Sequence, residues 1–153
     1  MTLKKLELKH RIYNSSMNNG NKKTVEKFLL KTLKKIQKTS NKRHSSMLML
    51  AIKNSTPALK MNKQKMKRNK KKYNKDIPTF VQNSFLRINL SLKYIILSSI
   101  KNSEYNKFYT KLSNEIVESS AFKSQSTEQK TNLQKQILLQ KNLFFKYRWK
   151  KKK

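Results

Sequence analysis

Lysine and arginine outnumber aspartate and glutamate by 38 to 7, which leaves a formal net charge of +31 on 153 residues. A chain charged this strongly repels itself and needs polyanions around it to become fully compact. Nucleic acid is therefore the expected partner. Hydrophobic residues make up 35%, below the usual share for a globular domain but enough for one modest core. The same imbalance excludes much chemistry. With no Cys there are no disulfides, thiolate zinc sites or Cys nucleophiles. Two His, one Asp and six Glu give little material for acid–base or metal catalysis, so neither an enzyme nor any cofactor is expected.

Codon usage offers a bland account of part of this charge. Only five of the cations are Arg, Asn and Ile are abundant, and there is one Gly. A genome very rich in A and T would favour that usage. Such drift raises Lys and Asn but does not suppress Glu this far, and +31 greatly exceeds what solubility requires.

Helical periodicity organises most of the chain. Val25, Phe28, Leu29, Leu33 and Ile36 form one stripe, and Gly20 ahead of them suits a left-handed turn after a short first helix. Met47, Leu48, Leu50, Ala51 and Ile52 form a short apolar run that Pro57 stops. A central helix is predicted over 84–101. Phe85, Ile88, Leu92, Ile95, Ile96, Ser99 and Ile100 lie on its inner side, and Leu86, Leu90 and Leu97 widen the stripe. Asn102 and Ser103 are expected to cap the next helix, carried by Tyr105, Phe108, Tyr109, Leu112 and Ile116. A polar connection at 123–126 precedes a last helix with Leu133, Ile137, Leu138, Phe144 and Phe145. The apolar stretch Ile88 to Ile100 is interrupted by Asn89 and Lys93 and falls short of the ~20 residues that span a bilayer, so no membrane partner is expected.

Between Pro57 and Pro78 the helical period disappears. Residues 60–75 carry no acid and almost no apolar content. Composition favours a solvated loop; the other reading is a long β-hairpin turning near Arg68 and Asn69 and held by RNA. In both, a cationic arm projects from a helical body, and residues 150–153 are a second, shorter one. The first residues, Met1 to Arg11, are basic but lack the apolar run of a secretory signal. Leu3, Leu6, His10, Tyr13 and Met17 fall near one helical face, as in a weak amphipathic presequence.

The candidate interface follows from this pattern. Lys and Arg neutralise phosphates and release counterions; Tyr73, Tyr147 and Trp149 are placed to stack on unpaired bases. Lys22 and Lys23 stand where a helix start also directs N–H groups at an anion. About eight such contacts would give log affinity a slope of roughly −6 to −7 against log salt.

The order of the landmarks is more specific. Met17-Asn18-Asn19-Gly20-Asn21-Lys22-Lys23-Thr24 resembles the Met-x-Asp-Gly-Lys-Lys turn of the S-seven family of small-subunit ribosomal proteins, bacterial and organellar type. Ala51, Asn54 and Pro57 stand as in its Ala-x-x-Asn-x-x-Pro entry to a β-hairpin, and Ile77-Pro78 as in the Val-Pro that ends it. Leu92-Lys93-Tyr94-Ile95 resembles the family's Met-Arg-Trp-Ile, and Leu112-Ser113-Asn114-Glu115-Ile116 its Leu-Ala-Asn-Glu-Leu. Phe144-Phe145-Lys146-Tyr147-Arg148-Trp149 resembles its Phe-Ala-His-Tyr-Arg-Trp close. The resemblance covers about residues 11–149.

It implies a bundle of about six helices with a protruding basic hairpin, mainly α. The implied role is to anchor the 3′ major domain of small-subunit rRNA and nucleate head assembly, with the hairpin near the exit-site tRNA and messenger path. Implied partners are that rRNA and neighbouring head proteins. Lys22, Lys23, Arg87, Lys93, Arg148 and Trp149 match family positions for RNA contact, and Lys63, Lys65, Lys67, Arg68, Lys70, Lys71, Lys72 and Tyr73 occupy the hairpin. Three features depart from the pattern. The paired Gly of the hairpin tip is missing within 67–72, Leu86 replaces the first member of a basic pair, and Lys146 replaces the closing His. A tip without Gly makes the same tight turn only at a cost.

The expected organisation is a short basic arm at 1–15, one helical domain at 16–149 with a hairpin insertion at 57–80, and a Lys tail. The composition points to an organelle-encoded chain, a mitochondrion first and a plastid second. The rival reading is a nucleoid or linker-histone-like protein that compacts DNA. It shares the Lys excess but leaves the Tyr-Arg-Trp close unexplained. Glu115 and Glu118 adjoin on one helix and are expected to pair with Lys111 or remain solvated.

Overall fold

A computed structural model describes residues 5–17, 19–40, 42–68, 71–103 and 105–140. Among them run α1 (Lys5–Ser16), α2 (Lys22–Thr39), α3 (His44–Ser55), β1 (Leu59–Arg68), β2 (Lys71–Phe80), α4 (Ser84–Lys101), α5 (Phe108–Ser120) and α6 (Gln125–Leu139). The helices form one bundle and the strands one antiparallel hairpin, the mainly α architecture expected. No helix among the described residues is long and apolar enough to cross a membrane.

The core is the meeting of the predicted stripes. Val25, Leu29 and Ile36 of α2, Met47, Ala51 and Ile52 of α3, Ile88, Leu92 and Ile95 of α4, and Leu112 and Ile116 of α5 are buried in one cluster. Phe28 and Phe108 meet edge to face, their ring centroids 5.2 Å apart. Gly20 has φ +74°, the left-handed turn that its position called for, and no atom lies within 4 Å of a Cβ built there. Thr56 is extended ahead of the buried Pro57, as the ring of a following proline demands, and α3 ends there.

Helix α4 has the predicted bounds and starts at Asn83, whose side chain accepts the Phe85 N–H at 2.8 Å. Its buried face is narrower than the sequence suggested. Ile88, Ser91, Leu92, Ile95, Ser98 and Ser99 are buried, whereas Phe85, Leu86, Leu97 and Ile100 are exposed. Small serines occupy positions where leucines would hold the neighbouring helices apart: Ser91 donates to Ile88 O and Ser99 to Ile96 O within the helix, while Ser98 Oγ accepts from Gln129 Nε2 of α6 at 3.3 Å.

Three further expectations change. Asn102 ends α4 instead of starting α5, its N–H donating to Ser98 O at 3.1 Å. Helix α5 begins at Phe108, and Tyr105 lies in the connection with Lys35 over its ring. Helix α6 begins at Gln125, inside the stretch read as connection, and of its predicted stripe Ile137 is buried while Leu138 is exposed; Phe144 and Phe145 lie outside the described residues. Residues 5–15, set apart above within an arm, belong to α1, which buries Leu8, Ile12 and Tyr13 against the body and leaves His10 exposed.

Candidate nucleic-acid interface

The hairpin settles the open choice over residues 60–75 in favour of paired strands. Leu59 pairs with Phe80, and the register continues through Lys63↔Asp76, Lys65↔Asn74, Met66↔Tyr73 and Lys67↔Lys72 to Arg68↔Lys71. The expected turn residue Asn69 and the site residue Lys70 lie outside the described residues. An isolated two-stranded ribbon is marginal in water. This one is anchored at its base, where Ile77, Pro78 and Val81 are buried and Val81 N–H donates to Ala58 O at 3.0 Å. Its outer half opposes cation to cation, at Lys67↔Lys72 and Arg68↔Lys71, with Asp76 the one acid in either strand. Like charges directly opposite destabilise a ribbon, and phosphates laid along it would remove that repulsion.

Arg87 serves two places. It is half-buried at the start of α4, and its Nε donates to Val81 O, stapling the strand exit to the helix. Lys93 is exposed one turn beyond Asn89 on the same helix. The structure adds Arg11, which the sequence reading did not single out. Its guanidinium donates to Asn89 Oδ1 at 3.3 Å and lies 4.2 Å from the Phe85 ring centroid, so α1 contributes a cation about one helical turn from Lys93 on α4. The available signal was that Arg11 is one of only five arginines in a lysine-dominated chain.

Lys22 and Lys23 occupy the first turn of α2, both exposed. No side chain caps this helix and no acid stands in its first turn, so the two cations stand at the positive end of its dipole, with the Lys22 N–H donating to Gly20 O at 2.9 Å. Lys63 is exposed on β1; Lys65, Lys67 and Arg68 on β1 and Lys71, Lys72 and Tyr73 on β2 are placed by the register alone. Arg148 and Trp149, with Tyr147, lie outside the described residues.

Two residues of the quoted motifs are joints instead of contacts. Asn54 Nδ2 donates to Ser119 O at 2.9 Å and to Ser120 O at 3.0 Å, satisfying carbonyls at the end of α5. Glu115 is 2% exposed, and its Oε1 accepts the Ser126 N–H at 3.1 Å. The expected pairing with Lys111 or solvation of Glu115 is therefore overturned, because the α5–α6 turn folds the next helix start over its carboxylate. Around it the hydroxyls of Ser119, Ser124 and Ser126 form a triangle 2.8 Å on each side. Lys130 donates to Asn54 O at 2.7 Å, and burial lowers its ammonium pKa. Among the described residues no cluster of His, Asp or Glu could hold a metal ion.

A helical body carrying a cationic ribbon, with further cations at the starts of α2 and α4, defines a phosphate-binding protein whose contacts are electrostatic. A family model described as ribosomal protein S7p/S5e matches residues 2–139, and the chain belongs to that family. It is accordingly a structural, rRNA-binding protein of the small ribosomal subunit. No curated protein matches the chain.

Proposed function

We propose that this chain anchors the 3′ major domain of small-subunit rRNA and nucleates assembly of the subunit head in a mitochondrial ribosome. Its hairpin lies beside the exit-site tRNA and the messenger path, and its protein neighbours are those of the head. The observation that carries the reading is the hairpin: an apolar base seated on the bundle and an outer half whose register sets Lys67 opposite Lys72 and Arg68 opposite Lys71, in a segment with no acid between residues 60 and 75. An arm of that kind reaches into RNA while the helices keep their own core. The site residues, with Arg11 added, supply the phosphate contacts. The mitochondrial placement rests on the Lys, Asn and Ile usage of an A- and T-rich genome; a plastid ribosome is the other organelle with that usage.

The test is binding of the full chain to the 3′ domain of its small-subunit rRNA at about 0.3 M salt, where non-specific phosphate binding is largely lost. Excess tRNA and duplex DNA serve as competitors. Retention on the rRNA is expected. Equal displacement by all competitors would leave a generic polycation and revive the DNA-compacting reading. Co-sedimentation with mitochondrial, not plastid, ribosomes checks the location.

A further inference from the structure

Helix α2 carries seven lysines and one glutamate over 18 residues. Its buried side is Val25, Leu29, Thr32 and Ile36. At 100° per residue, Lys23, Lys27, Lys31, Lys34 and Lys38 fall in a narrow line diametrically opposite. All five are exposed. One cation per turn recurs about every 5.4 Å over four turns, a repeat comparable with successive phosphates along one nucleic-acid strand.

The helix is built against its own electrostatics. Lysines four apart on one face repel and weaken a helix standing alone, and two cations in an uncapped first turn oppose its dipole. Its acid gives no relief to the line. Glu26 Oε1 is turned to α1, accepting from Tyr13 at 3.3 Å and pairing with Lys9 at 3.8 Å. Among the described residues no ion pair reaches any of the five lysines. Two half-buried rings flank the line: Lys31 lies 6.0 Å from the Tyr109 centroid and Lys35 lies 5.5 Å from that of Tyr105. The face is also remote from the hairpin, because α2 packs on α1, α3 and α5 whereas the hairpin meets the body at α6.

We propose that the exposed line Lys23, Lys27, Lys31, Lys34 and Lys38 is a second RNA contact, following the phosphates of one strand independently of the hairpin. The proposal rests on the rRNA-binding role. A second site on another side of the bundle makes the protein a clamp between two parts of a folded RNA, which a single arm could not be.

The test compares two full-length variants of equal charge, each folded by far-UV circular dichroism. One is Lys27→Gln, Lys31→Gln, Lys34→Gln and Lys38→Gln together. The other is Lys53→Gln, Lys101→Gln, Lys123→Gln and Lys135→Gln, four exposed lysines scattered over other elements. Binding to the rRNA 3′ domain is read against salt. The α2 variant is expected to flatten the log–log slope by about 3, as four lost phosphate contacts require, and the scattered variant by less than about 1. The free α2 variant should also melt at a higher temperature than the parent, since its internal repulsion is gone. An unchanged slope in the α2 variant, or equal flattening in both, overturns the proposal. Failure of the unsubstituted chain to retain the rRNA against competitors would overturn the rRNA-binding role beneath it, and is seen before any substitution is made.

Discussion

Replacing Glu115 by alanine should destabilise the chain by about 3 kcal/mol. The carboxylate is buried and accepts the Ser126 N–H in the first turn of α6. Removing it strands that donor in a dry site, a cost of about 1–3 kcal/mol. A negative charge at a helix start contributes up to about 1 kcal/mol more, and the lost side-chain methylene about 0.8 kcal/mol. Relief of the carboxylate's own desolvation gives part of this back. For a chain of this size the net loss lowers the thermal midpoint by roughly 6–12 °C. Glu115→Gln keeps an acceptor in place and should cost only about 1 kcal/mol. Urea and thermal unfolding of the three proteins, with far-UV helicity as the probe, decide the matter. An alanine variant within about 0.5 kcal/mol of the parent would refute the view that this carboxylate holds α5 and α6 together.

Ser119→Ala opens the hydroxyl triangle with Ser124 and Ser126 and should cost about 1–3 kcal/mol by the same unfolding measurement. Phe122 is exposed at φ 61°, so Phe122→Gly should raise stability by about 1 kcal/mol, and a lowered midpoint would mean that its ring is held by contacts. Burial holds the Tyr94 phenol above the ordinary tyrosine pKa. The unfolded chain therefore ionises first, and stability present below about pH 10 is lost as pH rises through the native value; Tyr94→Phe should reduce that alkaline loss in a pH series of melts. Deleting residues 60–75 should leave the helical signal intact while weakening rRNA binding. Loss of helicity on deletion would sink the separation of arm from body.

The motif residues divide into two kinds that their order alone did not separate. Lys22, Lys23 and Lys93 are exposed and available to phosphates, whereas Asn54 and Glu115 are joints that satisfy helix ends. Spacing identifies that such residues recur together; only the packed bundle says which way each one faces. Arg87 is a joint as well, one donor of its guanidinium being engaged by Val81 O. Arg11 escaped because its significance depends on α1 lying along α4, a pairing with no local signal.

By itself the sequence determined the polyanion partner, the helical class and the core stripes of α2, α4 and α5. Net charge and 3.6-residue periodicity are properties of the chain that packing does not alter. The bounds of α4 and the left-handed turn at Gly20 belong there too, because cap and glycine chemistry act within a few residues. Tertiary structure decided what depends on distant partners. It paired residues 59–68 with 71–80, where composition favoured a solvated loop, because Ile77, Pro78 and Val81 find a buried seat that composition does not announce. It also narrowed the buried face of α4 to Ile88, Leu92, Ile95 and serines, leaving Leu86 and Leu97 in solvent. A helix surrounded by α1, α3, α5 and α6 buries what lets those neighbours approach, and that choice is made by the bundle rather than by hydrophobicity along the chain.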